Sequence, residues 1–279
     1  LESTALSGLR KVKSITIPDG VQKITAETFY GCKSLEEVKL PKSLASFDNY
    51  TSFSACPKLS KVTLSKANKN FKMQKGLLLN KKGTKLIWVV PAKKKIIVPD
   101  SVTSIADNAL KAGKATSVYL GRKVKTIGKD AIAGKKITKV SIAKKNKRIA
   151  KQGQCVYEKK SGKLLIAVAK KNVVKIGNKV KLISEDASLC GSRQLKKLDI
   201  GASVKTLQGA WGEFYRAGYV TTKVYFRSKN PPKLTQNNDK NYCYLPIFRD
   251  VYVPKASLKK YKKWYKKNDA LQFVKLKTF

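Results

Sequence analysis

The chain has 279 residues and a net charge of +44, from 61 basic against 17 acidic side chains, with no His. The missing imidazole removes His general bases, Ser-His and Cys-His pairs and His-containing metal sites. A charge this far beyond the about 2 to 8 that keeps a small domain soluble attracts polyanions and repels itself.

Along the chain, the first regular element is a strand carrying Ile15 and Ile17. Apolar pairs two residues apart recur at Val38/Leu40, Val62/Leu64, Ile96/Val98, Val118/Leu120, Val140/Ile142, Val174/Ile176 and Leu198/Ile200. Looser copies follow at Val224/Phe226 and Val251/Val253. The short steps between pairs are 22 to 24 residues, the period of leucine-rich repeats. Other apolar positions recur with them: Leu35, Leu59 and Leu195 three residues before a strand, and a Val-x-x-Ile type step after it (Val21/Ile24, Val102/Ile105, Val124/Ile127, Val180/Ile183, Val204/Leu207). One unit cannot bury so many apolar side chains alone, whereas stacked neighbours bury them in a continuous core.

Two steps, from Val62 to Ile96 and from Val140 to Val174, are 34 residues long. Each holds an insertion, Gly76–Asn80 to Trp88 in one and Cys155–Glu158 to Ile166 in the other, at a constant offset of 78 that also matches Asn68 with Asn146. A block was therefore duplicated whole, and each insertion reads as a β-hairpin laid on the edge of the stack. The chain opens inside a repeat, Leu6, Val12 and Ile15 aligning with Phe29, Leu35 and Val38. A mature or trimmed fragment is expected, whose targeting signal is missing.

Near the C-terminus, residues 228–239 with Pro231-Pro232 read as a loop, and 209–219, with Trp211, Phe214 and Tyr215, depart from the pattern. Leu258, Tyr261, Trp264 and Tyr265 form one face of a helix over 257–267, followed by an alternating segment, 273–276. The expected fold is a right-handed, β-rich leucine-rich-repeat solenoid of about ten short parallel strands, with short turns or helical segments on the outer side. Residues 1–227 form the solenoid, with hairpin insertions near 68–94 and 146–172. Residues 228–279 form an irregular last repeat and a one-helix cap within the same continuous domain.

The motif Ile-x-Ile-Pro-Asp-Gly-Val-x-x-Ile, the turns Phe29-Cys32-Leu35 and Phe53-Cys56-Leu59, the Gly-Leu-Leu-Leu-Asn hairpin at 76–80 and the ending Val251-Tyr252-Val253-Pro254 with Tyr261-Lys262 resemble the BspA-like leucine-rich repeat family. The resemblance implies a bacterial protein, extracellular or on the cell surface, in a family that includes adhesins. It carries over no ligand, because the shared residues are scaffold positions.

Of the five cysteines, Cys32 and Cys56 hold the same inward place in successive repeats and Cys190 resembles them, so buried free thiols are expected there. Cys155 and Cys243 are expected to be exposed. No CxxC, HExxH, EF-hand, P-loop or GxGxxG spacing occurs, and Ser257-x-x-Lys260 is a chance spacing in a Lys-rich cap. No enzymatic activity, metal or cofactor is expected. No apolar run approaches the about 20 residues that span a bilayer.

Residues between and just before each buried pair point outward and line one face. They include Lys95/Ile97, Ser117 and Ser141, and nine are candidate ligand contacts: Lys39, Lys61, Tyr119, Lys139, Lys175, Lys197, Lys223, Tyr225 and Tyr252. Tyr offers a rigid ring for a sugar while Lys holds sulfate or carboxylate. With only seven Arg, the surface suits diffuse polyanion contact better than base readout. Lys on solvated turns costs little, so the charge alone names no ligand. The leading expectation is a non-catalytic monomer that adheres to a host or environmental protein or to an anionic polysaccharide. The rivals are a charge-driven nucleic-acid binder and a structural spacer displaying another domain.

Overall fold

The computed structural model describes residues 1–49, 51–110, 113–134, 136–192, 194–209, 222–235, 249–268 and 273–279. Two compact units result, Leu1–Gly134 with Lys139–Lys145, and Lys135–Thr138 with Asn146–Phe279.

The first unit contains β1 (Ser14–Thr16), β2 (Lys23–Ile24), β3 (Glu37–Leu40), β4 (Ser46–Phe47), β5 (Lys61–Leu64), β6 (Phe71–Gln74), β7 (Leu77–Asn80), β8 (Lys85–Val89), β9 (Lys95–Ile97), β10 (Ser104–Ile105), β11 (Ser117–Leu120), β12 (Thr126–Ile127) and β13 (Lys139–Ile142). β1-β3-β5 and β9-β11-β13 are parallel ladders. Their registers, Ile15 opposite Val38 opposite Val62 and Ile96 opposite Val118 opposite Val140, match the alignment of the recurring apolar pairs. Side chains alternate along a strand, so these residues enter the core while Lys39, Lys95 and Tyr119 face out.

A second row of two-residue strands runs through the Val-x-x-Ile type steps, β2 with β4 and β10 with β12, and the longer β8 of the insertion pairs with β10. Between the rows lie turns whose described residues form no helix, where Thr4, Glu27, Asn108 and Asp130, and Gly8, Gly31 and Ala55, take left-handed conformations. The Phe of the repeated Phe-x-x-Cys turn builds a column: Phe29 and Phe53 stack at 4.6 Å and 3°, and Trp88 from the insertion extends it 5.1 Å from Phe53.

The second unit contains β14 (Ile149–Gln152), β15 (Cys155–Glu158), β16 (Leu164–Val168), β17 (Val173–Ile176), β18 (Leu182–Ser184), β19 (Ser188–Cys190), β20 (Lys197–Ile200), β21 (Thr206–Gln208), β22 (Lys223–Phe226), β23 (Lys233–Thr235), β24 (Asp250–Val253), α1 (Leu258–Lys267, after a 3-10 turn at Lys255–Ser257) and β25 (Lys275–Thr278). Its main ladder is β17-β20-β22-β24-β25 and its second row β18-β21-β23. α1 buries Tyr261 and Tyr265 fully, with Trp264 edge-on to Phe226 at 5.9 Å. Burial pushes both phenols' pKa up, and Tyr261 donates its O–H to the Ser228 carbonyl at 3.2 Å.

The structure corrects three sequence expectations and details a fourth. The strands do not make one sheet of about ten: the parallel row is interrupted at both insertions into ladders of three, three and five. The first hairpin continues the second-row sheet at its edge, β8 pairing parallel with β10 on one side and antiparallel with β7 on the other. Its second arm thus supplies a strand of the second row. Cys155 is buried rather than exposed, since β15 lies between β14 and β16 and its thiol faces the Lys175 carbonyl at 3.4 Å. The stretch expected to be a loop holds β23, whose Leu234 pairs in register with Leu207. The irregular path expected at 209–219 and the exposure of Cys243 lie outside the described residues, apart from Gly209.

The duplication is visible in bonding. Asn68 opens the first insertion fully buried, its Nδ2 donating to the carbonyls of Pro41, Lys42 and Leu44 at 3.2, 3.2 and 2.8 Å. Its Oδ1 accepts from the backbone N–H groups of Asn70 and Phe71 at 2.9 and 2.7 Å. Asn146 opens the second with the same acceptor pattern, from Arg148 and Ile149 at 2.8 and 2.9 Å. Lys81 and Lys159, again 78 apart, each donate to the main-chain carbonyl of their Asn.

Candidate binding faces on the strand ladders

The outward positions of the parallel strands hold Lys39, Lys61, Lys95, Lys139, Lys175, Lys197, Lys223, Lys275 and Lys277 against Glu37, Asp199 and Asp250. How these few acids are distributed separates the faces.

On the first ladder, Lys61 lies 3.0 Å from Glu37, and Lys39 is exposed beside them. On β9-β11-β13 no outward position carries an acid. The row before the buried residues reads Lys95, Ser117, Lys139 across the ladder, and the next outward row reads Ile97, Tyr119, Ser141. Together these side chains line a hollow of about 350 Å³. Ile97 is 55% exposed and Tyr119 37%. Among the described residues neither Lys95 nor Lys139 has a carboxylate partner. The hollow exists because Ser117 and Ser141 are short where neighbouring outward positions carry long side chains.

A larger hollow of about 620 Å³ lies in the second row of the same unit, between Phe47, Ile87 and Ile105. Asn49 spans part of it, donating to the carbonyls of Ile87 and Asp107 at 2.8 and 2.6 Å.

The five-stranded ladder of the second unit places Lys175, Asp199, Tyr225, Tyr252 and Lys277 in one register row. Tyr225 and Tyr252 stack on each other at 4.4 Å and 8°. Lys197 Nζ covers the Tyr225 ring at 4.2 Å, and Lys277 Nζ lies 5.5 Å from the Tyr252 ring centre. Arg227 grips Asp199 through two bonds of 2.7 Å, which pushes the guanidinium pKa up. The same guanidinium lies 4.5 Å from the centre of the half-exposed Phe279 ring. Lys277 lies 2.8 Å from Asp250, a hydrogen bond that lowers the carboxylate's pKa and raises the ammonium's.

Of the nine sequence candidates, Tyr119 and Lys139 therefore meet in the β9-β11-β13 hollow. Lys39 and Lys61 sit on the first ladder. Lys175, Lys197, Lys223, Tyr225 and Tyr252 share the ladder of the second unit, where the two Tyr rings spend their faces on each other and Lys197 lies over Tyr225. Lys95, Ile97, Ser117 and Ser141 hold outward positions in the sequence pattern but are not among those nine. The usable signal was two serines between lysines on adjacent strands. Arg227, Lys277 and Phe279 lie after the buried pairs or on the last strand, and no repeat template marks them.

Among the described residues no group of three or more Cys, Asp or Glu is placed to hold a metal, and no helix is long and apolar enough to cross a membrane. The buried thiols are held in the neutral form: burial pushes Cys56 up to about 12 and Cys155 up to about 11, which makes poor nucleophiles at neutral pH.

Comparison with solved structures finds bacterial leucine-rich repeat proteins. A leucine-rich repeat protein from Eubacterium ventriosum is 14% identical, with a TM-score of 0.44 over 90% of this chain and 60% of that one. A leucine rich cell surface protein from Faecalibacterium prausnitzii is 14% identical, with a TM-score of 0.45 over 83% of this chain and 62% of that one. The pneumococcal vaccine antigen PcpA is 16% identical, with a TM-score of 0.36 over 99% of this chain and 84% of that one. The chain thus spans about 60% of the length of the first two. A comparison with curated proteins gave no match. The model of the BspA type leucine rich repeat region matches residues 1–76 and 90–161 in six copies, and with more than half its length so matched, the chain belongs to that family.

Proposed function

We propose that the chain is a non-catalytic repeat protein, extracellular or on a bacterial cell surface, that adheres to an anionic partner through the outward faces of its strand ladders. The observation that carries the reading is the excess of Lys over acid on those faces, which leaves Lys95 and Lys139 without a carboxylate beside exposed Ile97 and Tyr119. Family membership supports the scaffold role, and the cell-surface description of the Faecalibacterium relative supports the location.

The test is retention on a heparin column across a salt gradient at about pH 5.5 and about pH 8. With no His, the charge is nearly constant over that range, so retention should be equal at both and lost with salt as condensed counterions are exchanged. Reversing Lys61, Lys139, Lys175 and Lys197 to Glu should lower the eluting salt. Elution below physiological salt at both pH values would favour a spacer that displays another domain. Equal retention on duplex DNA would favour charge-driven nucleic-acid binding.

A further inference from the structure

We propose that the hollow over β11 is a subsite for one acidic sugar ring, a pyranose carrying a carboxylate or sulfate; this rests on the reading that an anionic partner lies on the strand faces. The molecule supplies an internal comparison. In ladder order, β9, β11 and β13 of the first unit correspond to β17, β20 and β22 of the second. The inward residues are equivalent and all buried: Ile96 and Val174, Val118 and Leu198, Val140 and Val224. The outward residues differ. Where the second copy has Lys197, Asp199 and Tyr225, the first has Ser117, Tyr119 and Ser141.

In the second copy the protein fills its own face, with Lys197 over the Tyr225 ring and Asp199 bound by Arg227. In the first copy the same strand arrangement leaves about 350 Å³ open. The opening is therefore a property of the side chains placed there, not of the repeat.

Its chemistry suits an acidic sugar. Lys95 and Lys139 stand on either side of Ser117, two ladder steps or about 10 Å apart at Cα, so an anionic substituent over Ser117 is approached by an ammonium from each side. Tyr119 and Ile97 offer an apolar wall for the C–H face of a ring, and the Ser117 and Ser141 hydroxyls offer partners for ring hydroxyls. The volume lies at the low end of ligand pockets, roughly 300 to 1,000 Å³. An acidic peptide fits less well: β11 is hydrogen-bonded to a strand on both sides, so an extended chain laid on the face finds no main-chain partners of the kind strand addition uses.

The test follows backbone amide NMR shifts while adding a sulfated heparin disaccharide, glucuronic acid, glucose or an acidic hexapeptide. The disaccharide and glucuronic acid should shift amides at 95–97, 117–119 and 139–141, and glucose should not. Lys95→Glu with Lys139→Glu should weaken the disaccharide at least about tenfold, as loss of two charge-assisted contacts implies. Ser141→Tyr, which gives the first copy the ring the second carries at Tyr225, should abolish the shifts while the circular dichroism spectrum stays unchanged. Shifts elsewhere, shifts that survive Ser141→Tyr, or tighter binding of the hexapeptide at these amides would overturn the subsite. Heparin retention of the unaltered chain without shifts here overturns the subsite alone, whereas absence of retention overturns the wider reading first.

Discussion

Replacing Asn68 with Ala should be among the most damaging single changes that touch no apolar side chain. The amide is fully buried and makes five hydrogen bonds to main-chain groups of two repeats. The Leu44 carbonyl keeps a second donor, the Asn70 side chain at 3.2 Å. The Phe71 N–H, received at 2.7 Å by Asn68 alone among the described groups, loses its acceptor in a place water does not reach, and the Pro41 carbonyl loses its donor. An orphaned buried group costs about 1–3 kcal/mol, so a loss of about 3 kcal/mol is expected. That corresponds to roughly 6–12 °C in Tm at about 2–4 °C per kcal/mol.

Asn68→Asp tests direction. It keeps the acceptor for Asn70 and Phe71 but turns a charged oxygen toward three carbonyls, so near neutral pH it should be worse than Ala. Burial raises the new carboxyl's folded pKa above its unfolded value near about 4. Its folded form is then stabilised by protonation, and the Asp variant should recover as pH falls. The assay is thermal and urea unfolding followed by circular dichroism, with Asn146→Ala as the parallel case. Losses below about 0.5 kcal/mol at both positions, the scatter of ordinary surface changes, would refute the argument.

The thiols give a second expectation. Cys32, Cys56, Cys155 and Cys190 are free and buried, so the native protein should show at most one fast-reacting thiol and the unfolded chain five. Two or more fast thiols would contradict the packing of the Phe-x-x-Cys turn. Because Cys56 and Cys155 have folded pKa values of about 12 and 11 against an ordinary 9.0, their contribution to stability is fully present below about 9 and lost as pH climbs toward 11 and 12. The stacked tyrosines give a third: Tyr225→Ala should destabilise the second unit by about 1–3 kcal/mol, from a ring pair worth about 0.5–1.5 kcal/mol, a cation contact of about 0.5–1 and lost burial. A double-mutant cycle with Tyr252→Ala should return a coupling energy, and strict additivity would refute the stack.

Most of the scaffold was legible in the sequence because the repeat makes each residue a template for another. Val38 announces Val62, and the structure pairs them. The short second-row strands were recognised only as apolar steps such as Val102/Ile105, since two residues carry no strand period. The ladder breaks follow from the insertions, but spacing alone did not show that Lys85–Val89 is taken into the second row. Cys155 was misjudged because a hairpin was assumed to be a surface feature. The site was harder. Outward residues such as Ser117 and Tyr225 obey no rule of the fold, and their meaning depends on the residue beside them in the ladder, 22 to 26 positions away in the chain.

That independence explains how one scaffold carries two different faces. The buried residues of the duplicated block are constrained by stacking on both sides, so they stay apolar, as Ile96 and Val174, Leu77 and Cys155, and Trp88 and Ile166 do, and the entering Asn stays Asn. The outward residues touch mainly their register neighbours, so exchanging a Ser141-type residue for a Tyr225-type one changes the chemistry of the face and leaves the buried core as it is. In a chain with 17 acids against 61 bases, an acid on a strand face is conspicuous. Asp199 and Asp250 hold Arg227 and Lys277 in place and lower the local potential of the five-stranded ladder. The β9-β11-β13 ladder has no such acid, so its two flanking ammonium groups remain available to an anion from solution, and the electrostatic asymmetry between the copies falls where the open hollow does.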